Sequence, residues 1–255
     1  MNKYKSTLLT ASVAALLMSA SASSAAITIL PGGSGSLNDA GTTDAYPSTI
    51  VSSFDASSAS KIAVTISTET GFGDTLQTGV SFGANSDAFT LATSGFNGIQ
   101  NAFIYYLDAS DATGGSFGTG DIVINGASGD SNDFAVSWLF LSGTADGIGA
   151  SNSALNQTVS LTTTAADSFV VAAHANNGNS GLAQSPLTAL LNGDAGSAGG
   201  GSGYATIASP STADYSFTGS TSRPVTLAVE FTAIPEPSAA LLGAIGFLVL
   251  LRRRR

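Results

Sequence analysis

The sequence predicts an all-β fold, an antiparallel β-sandwich, with a short apolar helix at each end of the chain. Three observations predict it. Only 10% of the residues are charged and 30 are glycine, so the chain lacks the Glu, Lys, Arg and Leu that build exposed helices. Ser, Thr, Val, Ile and Phe are abundant, and they suit strands and turns. Apolar residues also recur at every second position in short runs bounded by Gly, Asn, Asp and Ser, the spacing of an antiparallel sandwich.

The first element, residues 1–26, reads as a secretory signal peptide. "MNKYK" is its basic start, "LLTASVAALLM" its apolar centre, and "SASASSAA" offers the small residues that signal peptidase accepts. Cleavage after Ala26 is preferred, with Ala22 and Ala25 as alternatives. Export is therefore expected.

The second element is a domain over residues 27–233. Four runs carry the strand assignment. "NAFIYYL" aligns Phe103, Tyr105 and Leu107, and "NDFAVSWLFL" aligns Phe134, Val136, Trp138 and Phe140. "DSFVVAAH" aligns Phe169, Val171 and Ala173. "RPVTLAVEFTA" sets Val225, Leu227, Val229 and Phe231 on one face and Thr226, Ala228, Glu230 and Thr232 on the other, the pattern of a strand with one wet side. Weaker strands are expected at 61–67, 79–82, 87–92, 121–125 and 157–162, about eight to eleven in all. The glycine-rich stretches "LPGGSGSLNDAG", "DATGGSFGTGD" and "NGDAGSAGGGSGY" are expected to be loops.

Lys61 and Arg223 are the only basic residues of this domain, against sixteen acids. So acidic a surface repels phosphate backbones, and no nucleic-acid partner is expected. There is no cysteine, which excludes disulfides, thiolate metal sites and a cysteine nucleophile together.

Candidate sites are few. His174 is the only histidine and is placed at a strand end. A serine hydrolase would need it as base, but no G-x-S-x-G elbow selects a serine. A glycosidase would need two carboxyl groups flanking a bond; Glu69 and Glu230 can be nominated, yet nothing pairs them, and Glu230 reads as a solvated residue on a wet face. Asp108, Asp111, Asp121, Asp130 and Asp133 fall near adjacent expected loops and could offer oxygen ligands to calcium, without the spacing of an EF-hand. Turn-forming Asp beside Gly explains them equally well. Tyr105, Tyr106, Trp138 and Phe140 could form a sugar-stacking platform, although aromatics at every second position are more often core, and only Tyr106 faces the other way.

The third element, residues 234–255, is "IPEPSAALLGAIGFLVLLRRRR". Its apolar run over residues 239–251 spans roughly 20 Å as a helix, short of a hydrocarbon core of about 30 Å. Arg252, Arg253, Arg254 and Arg255 would be held on the cytoplasmic side, leaving the body outside. Pro235 and Pro237 lack backbone donors and keep the preceding residues extended, so the segment around Glu236 should be accessible.

The order of "PEPS", a short apolar helix and a terminal arginine cluster resembles the PEP-CTERM sorting domain, the substrate of membrane-bound exosortases. The resemblance covers the last 22 residues, 234–255. It implies that Pro235, Glu236 and Pro237 are the recognition motif, that the helix holds the exported chain in the inner membrane for a time, and that the tail is then removed. The alternative is a plain C-terminal anchor. The body loosely resembles immunoglobulin-like or jelly-roll sandwiches of exported proteins. The expected function is thus a non-enzymatic surface or extracellular-matrix protein, structural or adhesive, associated with exopolysaccharide in a biofilm matrix, with no cofactor. A carbohydrate- or calcium-binding lectin-like module and a secreted hydrolase are the other two readings.

Overall fold

Strands whose two faces are both apolar or small cannot lie at a protein surface; they need a partner layer on each side. The chain builds such layers. The computed structural model describes residues 24–39, 48–69, 79–125, 134–177, 182–195, 198–219 and 222–235, and the pairings among its strands are all antiparallel.

Four sheets result. One has the order β1 (Thr28–Asp39), β9 (Phe134–Ser142), β3 (Lys61–Glu69), β7 (Gln100–Asp108), β6 (Thr90–Asn97). A second runs β10 (Ser151–Ala154), β17 (Val225–Phe231), β12 (Ser168–Asn177), β15 (Ala198–Ile207), β14 (Thr188–Ala195). Two smaller sheets are β2 (Ser48–Asp55), β8 (Thr119–Asn125), β4 (Gly79–Phe82), β5 (Asp87–Ala88), and β11 (Thr158–Thr162), β16 (Thr212–Thr218), β13 (Ala183–Ser185).

Three cores join them face to face. The first packs Ile62, Val64 and Ile66 of β3, with Phe103, Tyr105 and Leu107 of β7 and Phe134, Val136 and Phe140 of β9, against Val80, Phe82, Ile122 and Ile124 of the β2–β8–β4–β5 sheet. The second lies between the two five-stranded sheets, where Ala63, Ile104, Leu139 and Leu141 meet Phe169, Val171, Val225, Leu227, Val229 and Phe231. In the third, Val170, Ala172 and Ala228 meet Val159, Leu161, Tyr215 and Phe217 of the three-stranded sheet. The two five-stranded sheets are therefore inner layers, and each smaller sheet covers an outer face.

This layering overturns the wet-sided reading of the last strand. Every residue of β17 is buried, because the Thr226, Ala228 and Glu230 face is covered by the three-stranded sheet. It also moves His174 from a strand end to the buried interior of β12.

Two glycine-rich stretches expected to be loops are strands. "LPGGSGSLND" lies within β1, where a bulge between Ile29 and Ser34 accommodates Gly32 at φ +69°. "NGDAGSAGGGSGY" supplies the end of β14 and most of β15. Here glycine is required by proximity: a Cβ on Gly200 would stand 2.7 Å from the Ala135 Cβ, and one on Gly201 would stand 2.8 Å from the Phe217 ring. The strand is pressed between layers on both faces, so a side chain is excluded at Gly200 and Gly201. The third stretch, before β8, is mainly turn as expected.

The body, Ala26–Ala233, is one compact unit, and Ser24, Ala25, Ile234 and Pro235 belong to a second. Within the second, the Ala25 N–H donates to the Ile234 carbonyl at 3.0 Å and Ser24 bridges Pro235 in antiparallel fashion. Among the described residues no helix is long and apolar enough to cross a membrane.

Candidate functional site

Of the five acidic calcium candidates, Asp108, Asp111 and Asp121 fall among the described residues. No group of three or more Asp, Glu or His stands together there in a way that could hold a metal ion. Asp108 pairs with Lys61, and the Asp121 carboxylate accepts the Ser53 N–H at 2.7 Å. Asp111 closes a turn through its N–H to the Asp108 carbonyl, 3.1 Å away. Asp130 and Asp133 lie outside the described residues.

The aromatic candidates are committed to packing. Phe140 stacks on Phe54 at 3.9 Å, and Tyr105 stacks on Phe103 at 6.0 Å. Trp138 lies over Gly35, its cross-strand partner, where any side chain on Gly35 would collide with the indole. Tyr106 is half-buried, 6.2 Å from Phe231.

His174 is not set up as a base. Its Nδ1 is 2.8 Å from Thr226 Oγ1, its ring stacks on Phe217 at 5.2 Å, and Nε2 has no partner. The Thr226 hydroxyl donates to the Asn156 carbonyl at 2.5 Å, so it accepts from His174 and fixes the hydrogen on Nδ1. Burial lowers the imidazole pKa from 6.5 to about 4, so the ring is neutral at ordinary pH.

Glu230 is a buried clamp rather than a solvated carboxylate. It accepts hydrogen bonds from the Ala150, Thr164 and Ala165 N–H groups at 3.0, 2.9 and 3.1 Å and from the Thr164 hydroxyl at 2.8 Å. Desolvation alone would raise its pKa, but these donors together outweigh it and hold the carboxyl below its ordinary value. The side chain ties two loops to β17 and faces no second carboxylate in these bonds.

One arrangement was not foreseen from the sequence. Lys61, at the start of β3, is fully buried and stands opposite Asp108 in the β3–β7 register. Its Nζ contacts Asp108 Oδ1 and donates to the Gly147 carbonyl at 2.8 Å. The Gly147 N–H donates to Asp108 Oδ2 at 2.6 Å. The rings of Tyr106 and Phe231 lie 4.8 and 5.2 Å from Nζ. Burial pushes the lysine pKa below its usual value, against the opposing pull first of Asp108 and then of Asp146 and Asp111. The available sequence cue was a single lysine opening a run without other charge before Glu69.

Near Asp167 and Ser168 there is a cavity of about 210 Å³, smaller than the roughly 300 to 1,000 Å³ typical of small-molecule sites. Of the expected sorting motif, Pro235 is described and exposed; Glu236, Pro237 and Arg252 to Arg255 lie outside the described residues. No family model matches the chain, nor does any curated protein or solved structure.

Proposed function

We propose that the chain is an exported, non-enzymatic surface or extracellular-matrix protein whose C-terminal tail is recognised and processed by an exosortase. The observation that carries this reading is the sequence of parts in the tail: Pro235, Glu236 and Pro237, then an apolar run marginal for spanning a bilayer, then Arg252 to Arg255. The signal segment at the other end supplies the export that such sorting requires.

The stack of antiparallel sheets suits a structural or adhesive role beside exopolysaccharide, in the manner of immunoglobulin-like or jelly-roll surface domains. Signal peptidase and the exosortase are its partners during export, with the inner membrane as a transient host. Deletion of residues 235–237 tests the reading. The deleted chain should keep its arginine tail and stay in the membrane fraction, read by mass spectrometry of the C-terminal peptide; unchanged tail removal and sorting would refute it.

A further inference from the structure

We propose that Lys61 and Asp108 become joined by an amide bond, formed within the folded body with loss of one water. The placement stands independently of the sorting tail. Lys61 and Asp108 are register partners on adjacent strands, their side chains are 0% and 4% exposed, and Nζ already contacts the carboxylate.

Gly147 supplies the rest of the site. Its peptide groups face both reactants: the carbonyl accepts from Nζ at 2.8 Å, and the N–H donates to Asp108 Oδ2 at 2.6 Å. Gly147 has φ +76°, a left-handed conformation that a side chain would strain. The N–H is therefore placed where an oxyanion on Asp108 would form, and the carbonyl orients the amine.

The chemistry balances without a co-reactant. A proton passes from the Lys61 ammonium to Asp108 Oδ1, which exchanges two buried charges for a neutral amine and a carboxylic acid; the burial of both side chains favours this exchange. The amine lone pair attacks Asp108 Cγ, the N–Cγ bond forms, and the carbonyl electron pair moves to Oδ2 against the Gly147 N–H. One proton then moves from nitrogen to the Oδ1 hydroxyl. The pair on Oδ2 restores the carbonyl as the Cγ–Oδ1 bond breaks, and water leaves. In its cis form the product amide keeps both bonds to Gly147, its N–H donating to the Gly147 carbonyl and its Oδ2 accepting from the Gly147 N–H.

Holding the groups in contact replaces an encounter in solution, where effective molarities for well-oriented intramolecular reactions reach about 10⁵ to 10⁸ M. The link closes a loop across a sequence separation of 47 residues in a chain without cysteine. It would do for this exported body what a disulfide does elsewhere, without dependence on redox conditions.

Trypsin reads the bond directly. Lys61 and Arg223 are the only basic residues of the body, and Arg223 is followed by Pro224, which blocks tryptic cleavage, so Lys61 is the one effective site. An acylated lysine is not cut. The full-length protein, denatured in urea and digested, should yield a body uncut at Lys61 and lighter than its sequence mass by one water. Further digestion with chymotrypsin should give a branched peptide joining Lys61 to Asp108. Asp108→Ala should restore complete cleavage after Lys61, an outcome that does not require the variant to fold. Cleavage of the wild-type chain after Lys61 at full mass would overturn the proposal, as would an uncut Asp108→Ala chain.

Discussion

Acidification should destabilise the body through His174 before most carboxylates titrate. The unfolded chain binds a proton at the ordinary histidine value of 6.5, whereas the folded chain does so only at about 4. Between these values the unfolded state holds more protons, so stability falls as pH falls, and below the folded value the loss levels off. The structural cause is explicit. Nδ1 already carries a hydrogen for Thr226, and a second proton on Nε2 would meet no acceptor in a buried site stacked on Phe217. Linkage gives a loss of about 2 kcal/mol by about pH 5 and about 3 kcal/mol when complete. Urea unfolding of the wild type and of His174→Leu, followed by tryptophan fluorescence at about pH 7.5 and about pH 5, isolates this contribution from the acidic surface common to both. The wild type should lose about 2 kcal/mol more than the variant over that interval. Equal losses in the two proteins would refute the assignment of a buried, neutral imidazole.

Two further substitutions test the layers. Glu230→Gln should destabilise the body by about 3 kcal/mol, because it removes the charge that Ala150, Thr164 and Ala165 hydrogen-bond to and turns an amide donor toward their N–H groups; the shift in urea midpoint measures it. Gly200→Ala should cost about 1 to 3 kcal/mol by overpacking, since the new methyl would stand 2.7 Å from Ala135 Cβ and 3.1 Å from Ser67 Cβ, and thermal unfolding checks it.

The sequence made the long apolar strands and their principal core faces legible, but not the short or polar strands β2, β10, β13, β14 and β16, so the eight to eleven strands expected are 17 among the described residues. Phe103, Tyr105 and Leu107 and Phe134, Val136 and Phe140 share the first core, while Val225, Leu227, Val229 and Phe231 share the second, as their alternation predicts. What alternation could not show was the number of layers. A two-layer sandwich leaves the Thr226, Ala228 and Glu230 side wet, but two more sheets cover the outer faces, and the polar residues there are buried with partners. The continuous uncharged runs "SFVVAAHANN" and "IAVTIST" carried that information, since a strand buried on both faces does not alternate strictly. Glycine misled for a related reason. In β15 it marks close approach between layers rather than a turn, and composition alone does not separate these uses.

The Lys61 site was illegible because it depends on a register. Nothing in the sequence pairs position 61 with position 108 or brings Gly147 to both; the β3–β7 ladder and the turn after β9 do so. Asp108 read as a loop residue available to calcium, yet it ends a buried strand with its carboxylate engaged. The tail proposed for sorting, by contrast, is a pattern local in sequence, and its test lies in processing rather than in the fold.

C-terminal sequencing by mass spectrometry of the protein recovered from the cell surface or medium tests the central claim most directly. The sorting account predicts a chain that ends before Arg252, with the arginine cluster left behind. A secreted or surface-exposed chain ending at Arg255, or an intact chain confined to the cytosol, would contradict it.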